Sequence, residues 1–251
     1  MKVIISPAKT MNFKPVQKEE QTTVPLSVQE ASELAQMMKQ YTAEELIEVL
    51  KVSAPLAAKS YAQYQQFDRP DNPRKSALFT FNGLVFSGLD AETMLKPTLR
   101  YAQDHLRILS GLYGMLRPFD LIQPYRLDVA QKVMTPEGGS LYRFWDERVT
   151  AELKREGTGS ALINLASEEY AKMILVDELP EGTRFITPVF KELRDGKFKV
   201  ITTMTKTSRG KMARYIVENR IADPELLKAY TEEGYVFYPD LSTDSEWVFV
   251  R

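Results

Sequence analysis

Three arginines lie among aliphatic and aromatic residues in the segment from position 105 to position 127. They are Arg107, Arg117 and Arg126. A guanidinium in apolar surroundings is costly unless it meets a carboxylate, a phosphate or a set of carbonyl oxygens. The segment therefore predicts several anionic partners. Aspartates at 104, 120 and 128 are close enough in sequence to pair with some of these arginines, and a bound anion is the alternative partner.

A second candidate anion site follows a strand predicted over 198–204. Lys206 and Arg209 come after this strand, at the start of a helix predicted over 208–220. The free amides at a helix N-terminus attract anions, and Gly210 would let a phosphate approach the backbone closely. The pattern therefore predicts an anion-binding turn, with an ordinary solvated turn as the alternative.

General acid–base catalysis would require a histidine or a carboxyl group beside the bound ligand. His105 is the only histidine in the chain, and a lone histidine is more often a hydrogen-bonded structural residue. Asp120 or Glu169 would supply the carboxylate that a catalytic His105 needs. These residues define an alternative function, an enzyme that hydrolyses a glycosidic or related bond in a nucleotide or another phosphorylated small molecule. A deep, closed pocket would favour this enzyme, whereas an open groove about as wide as a duplex, ~20 Å, would favour DNA.

The composition excludes several kinds of site. The chain has no cysteine and one histidine, so disulfides, thiolate nucleophiles, zinc fingers and multi-histidine metal centres are excluded. A metal would have mainly carboxylate and other oxygen ligands, which makes iron sequestration by the chain itself a poor prediction. Lys9 lies in a loop without the glycines of a P-loop, and no Gly-x-Gly-x-x-Gly motif occurs. We therefore expect no metal and no cofactor.

Charge is unevenly distributed along a chain whose net charge is −1. Residues 191–220 include nine basic and three acidic residues, and residues 96–132 include six basic and three acidic residues. Residues 221–251 include two basic and seven acidic residues. This polarity predicts either a basic face that binds a polyanion or basic segments that the acidic tail neutralises. No apolar run approaches the ~18 residues of a membrane span, and the first residues are too short an apolar stretch for a signal peptide, so we expect a cytoplasmic protein.

Short strands and helices are predicted along the chain, without a repeat or a low-complexity linker. The predicted strands cover 2–5, 77–81, 84–87, 161–165, 184–190, 198–204, 235–238 and 246–250, with the second and third joined as a hairpin by Asn82-Gly83. The predicted helices cover 27–40, 42–50, 53–67, a face from 99 to 109, a start at 166–170, 208–220 and a short segment from 223. Capping boxes at Ser27 with Glu30 and at Thr42 with Glu45 begin the first two helices. The pattern indicates an α+β fold, a single compact domain over 1–251 with a mixed β-sheet surrounded by helices.

The second and third predicted helices can form a helix-hairpin-helix-like element at about 42–67. Such elements hold a nucleic-acid backbone through amides at the hairpin and at the N-terminus of the second helix. Lys51 and Lys59 are well placed to assist, and Ser53 stands near the position of the usual hairpin glycine. The alternative is a helical pair that contributes only to packing.

Motifs over essentially the whole chain resemble the YaaA peroxide-stress resistance family. They are Ile-Ser-Pro-Ala-Lys-Thr at 5–10, Phe-x-Gly with Gly-Leu-x-Ala at 81–91, His-Leu-Arg-x-Leu-Ser-Gly-Leu-Tyr-Gly-x-Leu-Arg-Pro-x-Asp at 105–120, Pro-Tyr-Arg-Leu at 124–127, Leu-Tyr-x-Phe-Trp at 141–145, Asn-Leu-Ala-Ser-x-Glu-Tyr at 164–170, and Arg-Gly-x-Met-x-Arg with Glu-Asn-Arg at 209–220. The chain departs from the family where Asp128-Val129-Ala130 replaces Glu-Met-Gly, and where Thr207 and Ser208 replace a lysine and an alanine. The second departure removes a positive charge from the predicted anion-binding turn.

The resemblance implies a compact fold with a positively charged cleft, a helix-hairpin-helix element, binding of double-stranded DNA, and a role in limiting damage by hydrogen peroxide through restraint of intracellular iron. On this basis we expect a monomer that binds duplex DNA and no membrane. We expect contacts with the phosphate backbone, without base recognition. The residues expected to contact DNA are Lys9, Lys51, Lys59, Arg107, Arg117, Arg126, Lys206, Arg209 and Arg214.

Overall fold

Strands and helices are interspersed along the chain in the computed structural model, which describes residues 1–16 and 22–251. The strands are β1 (Lys2–Ile5), β2 (Thr10–Met11), β3 (Lys75–Ser76), β4 (Phe81–Asn82), β5 (Leu106–Ser110), β6 (Gly114–Leu116), β7 (Leu121–Ile122), β8 (Ala161–Leu165), β9 (Arg184–Arg194), β10 (Lys197–Lys199), β11 (Val236–Phe237) and β12 (Glu246–Val250). The α-helices are α1 (Val28–Met38), α2 (Ala43–Leu50), α3 (Ala54–Gln66), α4 (Ala77–Thr80), α5 (Leu84–Leu89), α6 (Lys96–His105), α7 (Leu141–Glu156), α8 (Glu168–Ala171) and α9 (Thr202–Glu218). Within the described ranges, no helix combines the length and the apolar character that crossing a bilayer demands.

The main sheet has eight strands, of which seven form the order β11–β12–β9–β8–β1–β5–β6 and β10 pairs with β9. The pairs of β1 with β5 and β8, of β8 with β9, and of β9 with β12 are parallel. By contrast, β6, β10 and β11 run antiparallel to their neighbours. All residues of β5 and β8 are buried, as in strands covered on both faces. The predicted single domain with a mixed sheet surrounded by helices is confirmed.

The central position of β1 determines where polar loops can meet. The chain passes from β1 to β5 on one side of it and later returns to β8 on the other side. Where the strand order reverses in this way, the loops after neighbouring strands diverge and a crevice opens at the carboxyl ends. Residues 6–9 follow β1 and residues 166 and 167 follow β8, so both loops lie at this edge of the sheet.

The hairpin predicted at 77–87 is wrong. Residues 77–80 form the short helix α4, and α5 begins at Leu84, directly after Gly83. The φ of Gly83 is −174°, an extended conformation and not the left-handed one that its place in a two-residue Asn-Gly hairpin turn needs. All of α4 is buried, so its apolar run has no polar face and looks like a buried strand in sequence.

The strand predicted over 198–204 is found only at residues 198 and 199, which belong to β10, and the helix predicted to begin at Ser208 begins six residues earlier. Helix α9 begins at Thr202, because its packing against α5 and the sheet overrides the β-branched residues of its first turn, which favour a strand locally. Lys206 and Arg209 therefore lie within the helix, where backbone amides are bonded along the helix itself. The anion-binding turn predicted at a helix N-terminus does not exist.

Three smaller predictions have clear outcomes. The closing hairpin is confirmed, because β11 pairs antiparallel with β12. The helical face predicted through Leu109 is divided, since α6 ends at His105 and the next residues form β5. The capping box at Thr42 and Glu45 is confirmed, because the backbone N–H of each residue donates to the side chain of the other.

Gly88 and Gly210 allow α5 and α9 to cross in close contact. A Cβ atom on Gly210 would lie 1.9 Å from the carbonyl oxygen of Val85, and one on Gly88 would lie 2.2 Å from that of Thr207. Gly210 is thus required by helix packing, and the prediction that it lets a phosphate approach the backbone is wrong.

We expect the Gly210→Ala variant to lose about 2–3 kcal/mol of unfolding free energy, because the added methyl group forces two backbones apart. At an exposed helical position the same change would stabilise the protein by up to ~1 kcal/mol, so the sign itself is diagnostic. Urea denaturation measures the difference. Thr203→Ala, at an exposed position of the same helix, is the control and should not be destabilised. A Gly210→Ala protein as stable as the wild type would contradict the packing argument.

The capping box predicted at Ser27 and Glu30 is wrong, because Ser27 has another partner. Its hydroxyl donates to Oε1 of Glu152, 2.6 Å away, and its side chain does not cap α1. The other oxygen, Oε2 of Glu152, is buried and has no hydrogen-bond partner in the part of the chain that the structure describes. Burial raises the pKa of Glu152 to about 7, and the Ser27 hydrogen bond offsets only part of this effect.

The Glu152→Gln variant should be more stable than the wild type by about 2–3 kcal/mol at pH 8, and nearly equal to it at pH 5. Burial disfavours the ionised carboxyl, so wild-type stability falls as the pH rises from 4.5, the ordinary glutamate value, through about 7. Glutamine keeps an acceptor for Ser27 and carries no charge. Urea denaturation at both pH values measures this, and parallel pH profiles for the two proteins would refute it.

Candidate anion-binding groove

Two adjoining clefts form one groove at the carboxyl edge of β1 and β8. The sheet-edge cleft, about 390 Å³, lies between the loops after β1 and β8, the start of α5, and α9. The helix-side cleft, about 430 Å³, lies between α3 and residues 9–13 and 124–126. The clefts share Lys9 and Thr10, and together we call them the groove. The cations that line the groove are Lys9, Lys59, Arg126, Lys206 and Arg209.

Asp128 positions Lys9 at the junction of the two clefts. The Nζ of Lys9 lies 2.8 Å from Oδ2 of Asp128, and Oδ1 accepts a 3.0 Å hydrogen bond from the hydroxyl of Tyr170. Burial and the negative charge of Asp128 raise the pKa of Tyr170 well above its usual value, so this hydroxyl remains a donor. The Lys9 side chain is 67% exposed, so a ligand in the groove can contact its ammonium group.

Two serines join the loops after β1 and β8. The backbone N–H of Ser167 donates to Oγ of Ser6 at 2.8 Å, and the two hydroxyl oxygens are 3.3 Å apart. The Ser167 hydroxyl also begins α8 by accepting a hydrogen bond from the backbone N–H of Tyr170. These bonds fix the wall of the sheet-edge cleft that carries Tyr170 and Lys9.

Another wall of the sheet-edge cleft carries Lys206 and Arg209, both on α9. Residues three apart lie on one face of a helix, so the two cations are neighbours. The Nε of Arg209 is buried and has no hydrogen-bond partner among the residues that the structure describes. Burial lowers the pKa of this guanidinium. Because an unpaired charge in buried surroundings is costly, an anion bound in the cleft would gain a strong partner in Arg209.

Lys59 and Arg126 provide the positive charge of the helix-side cleft. Lys59 is exposed on α3. The hydroxyl of Tyr64, also on α3, donates to the carbonyl oxygen of Arg126 at 2.7 Å and fixes the segment that carries this arginine. The Arg126 guanidinium lies 3.4 Å from the carbonyl oxygen of Lys9. Arg126 therefore lies between α3 and the junction of the two clefts.

Lys51 lies in the connection between α2 and α3, outside the residues that line the two clefts. It is exposed and ends α2 in the left-handed conformation, with φ of 51°. Ser53 precedes α3, and its side chain makes no capping hydrogen bond. The two helices pack against each other as a pair, and the first amides of α3 have no intrahelical acceptor.

Arg107 and Arg117 have internal partners and do not line the groove. The Nε of Arg107 donates to Oε2 of Glu156 at 2.7 Å, and its Nη1 donates to the carbonyl oxygens of residues 103 and 106. Arg117 donates from Nε and Nη2 to Asp120 at 3.1 and 2.8 Å, and from Nη2 to a carbonyl oxygen at position 24. The charges of these two arginines are thus paired with carboxylates and carbonyl oxygens inside the protein, and not with a bound anion.

Arg214 also has partners within the protein. Its guanidinium forms ion pairs with Asp90 at 3.3 Å and with Glu218 at 2.7 Å, and it donates to the hydroxyl of Thr93. It lies five residues after Arg209 on α9, on a different face of the helix, and lines a different cleft, beside Gly88. The structure therefore separates Arg214 from the two cations of α9 that line the groove.

The residues considered for acid–base or metal chemistry are not gathered in one place. The Nδ1 atom of His105 lies 2.9 Å from the carbonyl oxygen of Met1. The His105 ring stacks on the ring of Tyr101, with the ring centres 3.9 Å apart. Asp120 is fully buried and accepts hydrogen bonds from Arg117. Of the three candidates, Glu169 alone lines the sheet-edge cleft. In the described part of the chain, no group of three or more His, Asp or Glu side chains could hold a metal ion.

Sequence reasoning missed the contribution of α5 to the groove. Asn82, Gly83 and the first turn of α5 line the sheet-edge cleft, where the sequence predicts a hairpin. It also missed the partner of Asp128, which is Lys9 and not an arginine. Two sequence motifs, at 81–83 and at 164–170, could have indicated this cleft, since both contain residues that line it.

The fold and the groove define an α/β protein with a mixed eight-stranded sheet and a cationic groove at the carboxyl edge of its parallel strands. The family profile described as "Peroxide stress protein YaaA" matches residues 1–241 of the chain. The chain belongs to this family, which supports a role in the oxidative stress response. The resemblance inferred from the motifs is confirmed.

Relatives from several bacteria match over nearly their full length. A UPF0246 protein of Alteromonas mediterranea is 43% identical over 257 residues, which cover 100% of this chain and 98% of the relative. A UPF0246 protein of Acaryochloris marina is 41% identical over 254 residues, covering 100% of both chains. A UPF0246 protein of Caulobacter vibrioides is 41% identical over 254 residues, covering 100% of this chain and 99% of the relative.

Proposed function

We propose that this chain binds double-stranded DNA in the peroxide stress response and contacts the duplex backbone through the groove. The groove itself carries the proposal. Its five cations come from four separate segments of the chain and lie along two adjoining clefts. Arg209 among them has no internal anion in the described residues. Cations spread over two adjoining clefts match a polyanion better than they match a single compact ligand.

Recognition of this kind depends on charge and backbone geometry. Each lysine or arginine that meets a phosphate releases condensed counterions, which drives binding at low salt. The pair of α2 and α3 would act as a helix-hairpin-helix element, with Lys51 and the first amides of α3 directed to phosphates beyond Lys59. The bases are not read, so sequence preference is weak.

The peroxide-stress role of the family supports the wider part of the proposal. Peroxide damages DNA chiefly after it reacts with ferrous iron, so a protein that covers DNA and restrains intracellular iron would protect the chromosome. This function places the protein in the cytoplasm, where we propose that it acts as a monomer.

The experiment that tests DNA binding is a salt titration with duplex DNA. Five phosphate contacts predict a slope of log K against log salt of about −4.5, which corresponds to a roughly 500-fold loss of affinity between 50 and 200 mM salt. Two duplexes of unrelated sequence should give the same curve within a few-fold. Fluorescence anisotropy with labelled duplexes measures both quantities. A flat salt dependence would overturn the proposal.

A further inference from the structure

The sheet-edge cleft is the wrong size for a duplex. A duplex is ~20 Å across, so a backbone phosphate can approach Lys206 and Arg209 from the mouth of the cleft, but the duplex itself cannot enter it. The cleft has a volume of about 390 Å³, within the roughly 300–1,000 Å³ of pockets that hold small molecules. DNA binding along the groove therefore leaves the interior of this cleft unexplained.

The walls of the cleft differ in chemistry. One wall carries Arg209 and Lys206, and the Nε of Arg209 is buried there without a partner in the described residues. Another wall is apolar and comes from Leu84, Val85 and Phe86, of which Leu84 is 42% exposed. An exposed apolar side chain beside buried positive charge suits a ligand that has both an anionic group and a flat apolar surface.

Polar groups occupy the remaining positions around the cleft. Asn82 precedes α5, and Glu169 follows the loop after β8. An amide can donate a hydrogen bond to a ring nitrogen or accept one, and a carboxylate can accept hydrogen bonds from amino groups and sugar hydroxyls. Two or three such groups around an apolar wall are typical of pockets for small polar aromatic ligands.

We propose that the sheet-edge cleft binds a free nucleoside monophosphate. Its phosphate meets Arg209 and Lys206, its base lies against the side chains at 84–86, and its sugar and ring edges face Asn82 and Glu169. A guanidinium is suited to this role because its fork of donors matches two phosphate oxygens. This site goes beyond DNA binding and does not depend on it.

Calorimetric titration without DNA tests the site with three probes: adenosine 5′-monophosphate, adenosine, and inorganic phosphate. We expect the monophosphate to bind at least 10-fold more tightly than either of the other two, because only it satisfies both walls. Arg209→Lys keeps the charge and removes the fork, and should weaken binding of the monophosphate about 10-fold while leaving binding of adenosine unchanged.

A pair of tryptophan variants distinguishes binding in the cleft from binding elsewhere on the protein surface. Leu84→Trp fills the mouth of the cleft and should reduce monophosphate affinity at least 10-fold. Leu95→Trp places the same side chain at a position that is 72% exposed and lines neither cleft, and it should bind as the wild type does. Thermal unfolding verifies that both variants fold.

Three results would overturn the proposal. Equal binding of phosphate and the monophosphate would show a simple anion site, and equal behaviour of the two tryptophan variants would place the ligand elsewhere. Absence of monophosphate binding would refute the site outright. None of these results affects the DNA proposal, which the salt dependence of duplex binding decides separately.

Discussion

The Arg107→Met variant is expected to lose about 3 kcal/mol of unfolding free energy near neutral pH, because it removes the closer partner of the Glu156 carboxylate and leaves it only Lys2, whose Nζ lies 3.3 Å from Oε2. Arg107 is 3% exposed, and its Nε lies 2.7 Å from the Glu156 carboxylate. Methionine fills similar space without charge, so lost electrostatics and hydrogen bonds, more than lost packing, cause the effect. Urea denaturation measures it, and a loss below 1 kcal/mol would contradict the ion-pair argument.

The pH dependence of this loss provides a second readout. Burial alone would raise the pKa of Glu156, but the hydrogen bond and charge of Arg107, with a smaller contribution from Lys2, outweigh burial and hold that pKa below its ordinary value. The ion pair therefore stabilises the fold above pH 4.5, and its contribution falls as the pH drops through the lowered pKa. The difference between the wild type and Arg107→Met should shrink in acid.

A double variant separates charge from packing at this site. In the Arg107→Met background, the change Glu156→Gln should cost less stability than it does in the wild type, because there it breaks only the pairing with Lys2 and no longer the ion pair with Arg107. The folded Arg107→Met protein should also bind duplex DNA as the wild type does, since Arg107 does not line the groove. A large loss of DNA affinity in the folded variant would mean that this arginine acts at the DNA after all.

The Lys59→Glu/Lys206→Glu variant is expected to bind duplex DNA about 100-fold more weakly at 100 mM salt, because two phosphate contacts are replaced by repulsion. The two lysines lie in different clefts of the groove, so the variant tests the groove as one surface. The slope of log K against log salt should also become less steep by about 2, since each lost contact removes ~0.9. Anisotropy titrations at several salt concentrations measure both effects.

The matched control is Arg155→Glu/Lys197→Glu, which changes the net charge equally. Both residues are exposed and neither lines the groove. If binding depends on the position of the cations, this control should lose only a few-fold in affinity through the general field. Similar losses in the two double variants would indicate non-specific attraction to the whole surface, and the groove would not be the DNA site.

The sequence predicts the central sheet well because buried strands leave a direct signal. The runs at 2–5 and 161–165 are apolar, and they form β1 and β8. The segments at 77–81 and 198–204 are predicted as strands for the same reason. The first is mostly the buried helix α4, and in the second β10 ends at residue 199 and α9 begins at residue 202. The spacing of apolar residues cannot distinguish a strand from a helix where a short segment is buried on all sides. It also fails where packing against segments far away in the chain stabilises the helix.

The site shows the same division. Lys9, Lys59, Arg126, Lys206 and Arg209 are predicted from sequence and line the groove. Arg107, Arg117 and Arg214 have equally suggestive surroundings in sequence, yet internal acids and carbonyls bind them. A guanidinium satisfies the same electrostatic requirement with an internal carboxylate or with a phosphate, so its neighbours in sequence cannot distinguish the two.

Residue types and motifs by themselves determine the family, the exclusion of thiol and multi-histidine chemistry, and the presence of many cations that need anions. The tertiary structure alone decides which cations remain without internal partners and where they meet. Gly88 and Gly210 allow α5 and α9 to cross closely. Arg209, next to this crossing on α9, lies beside the loops after β1 and β8. The physical reason is that both decisions depend on contacts between segments far apart in the chain, whose distances no local pattern encodes.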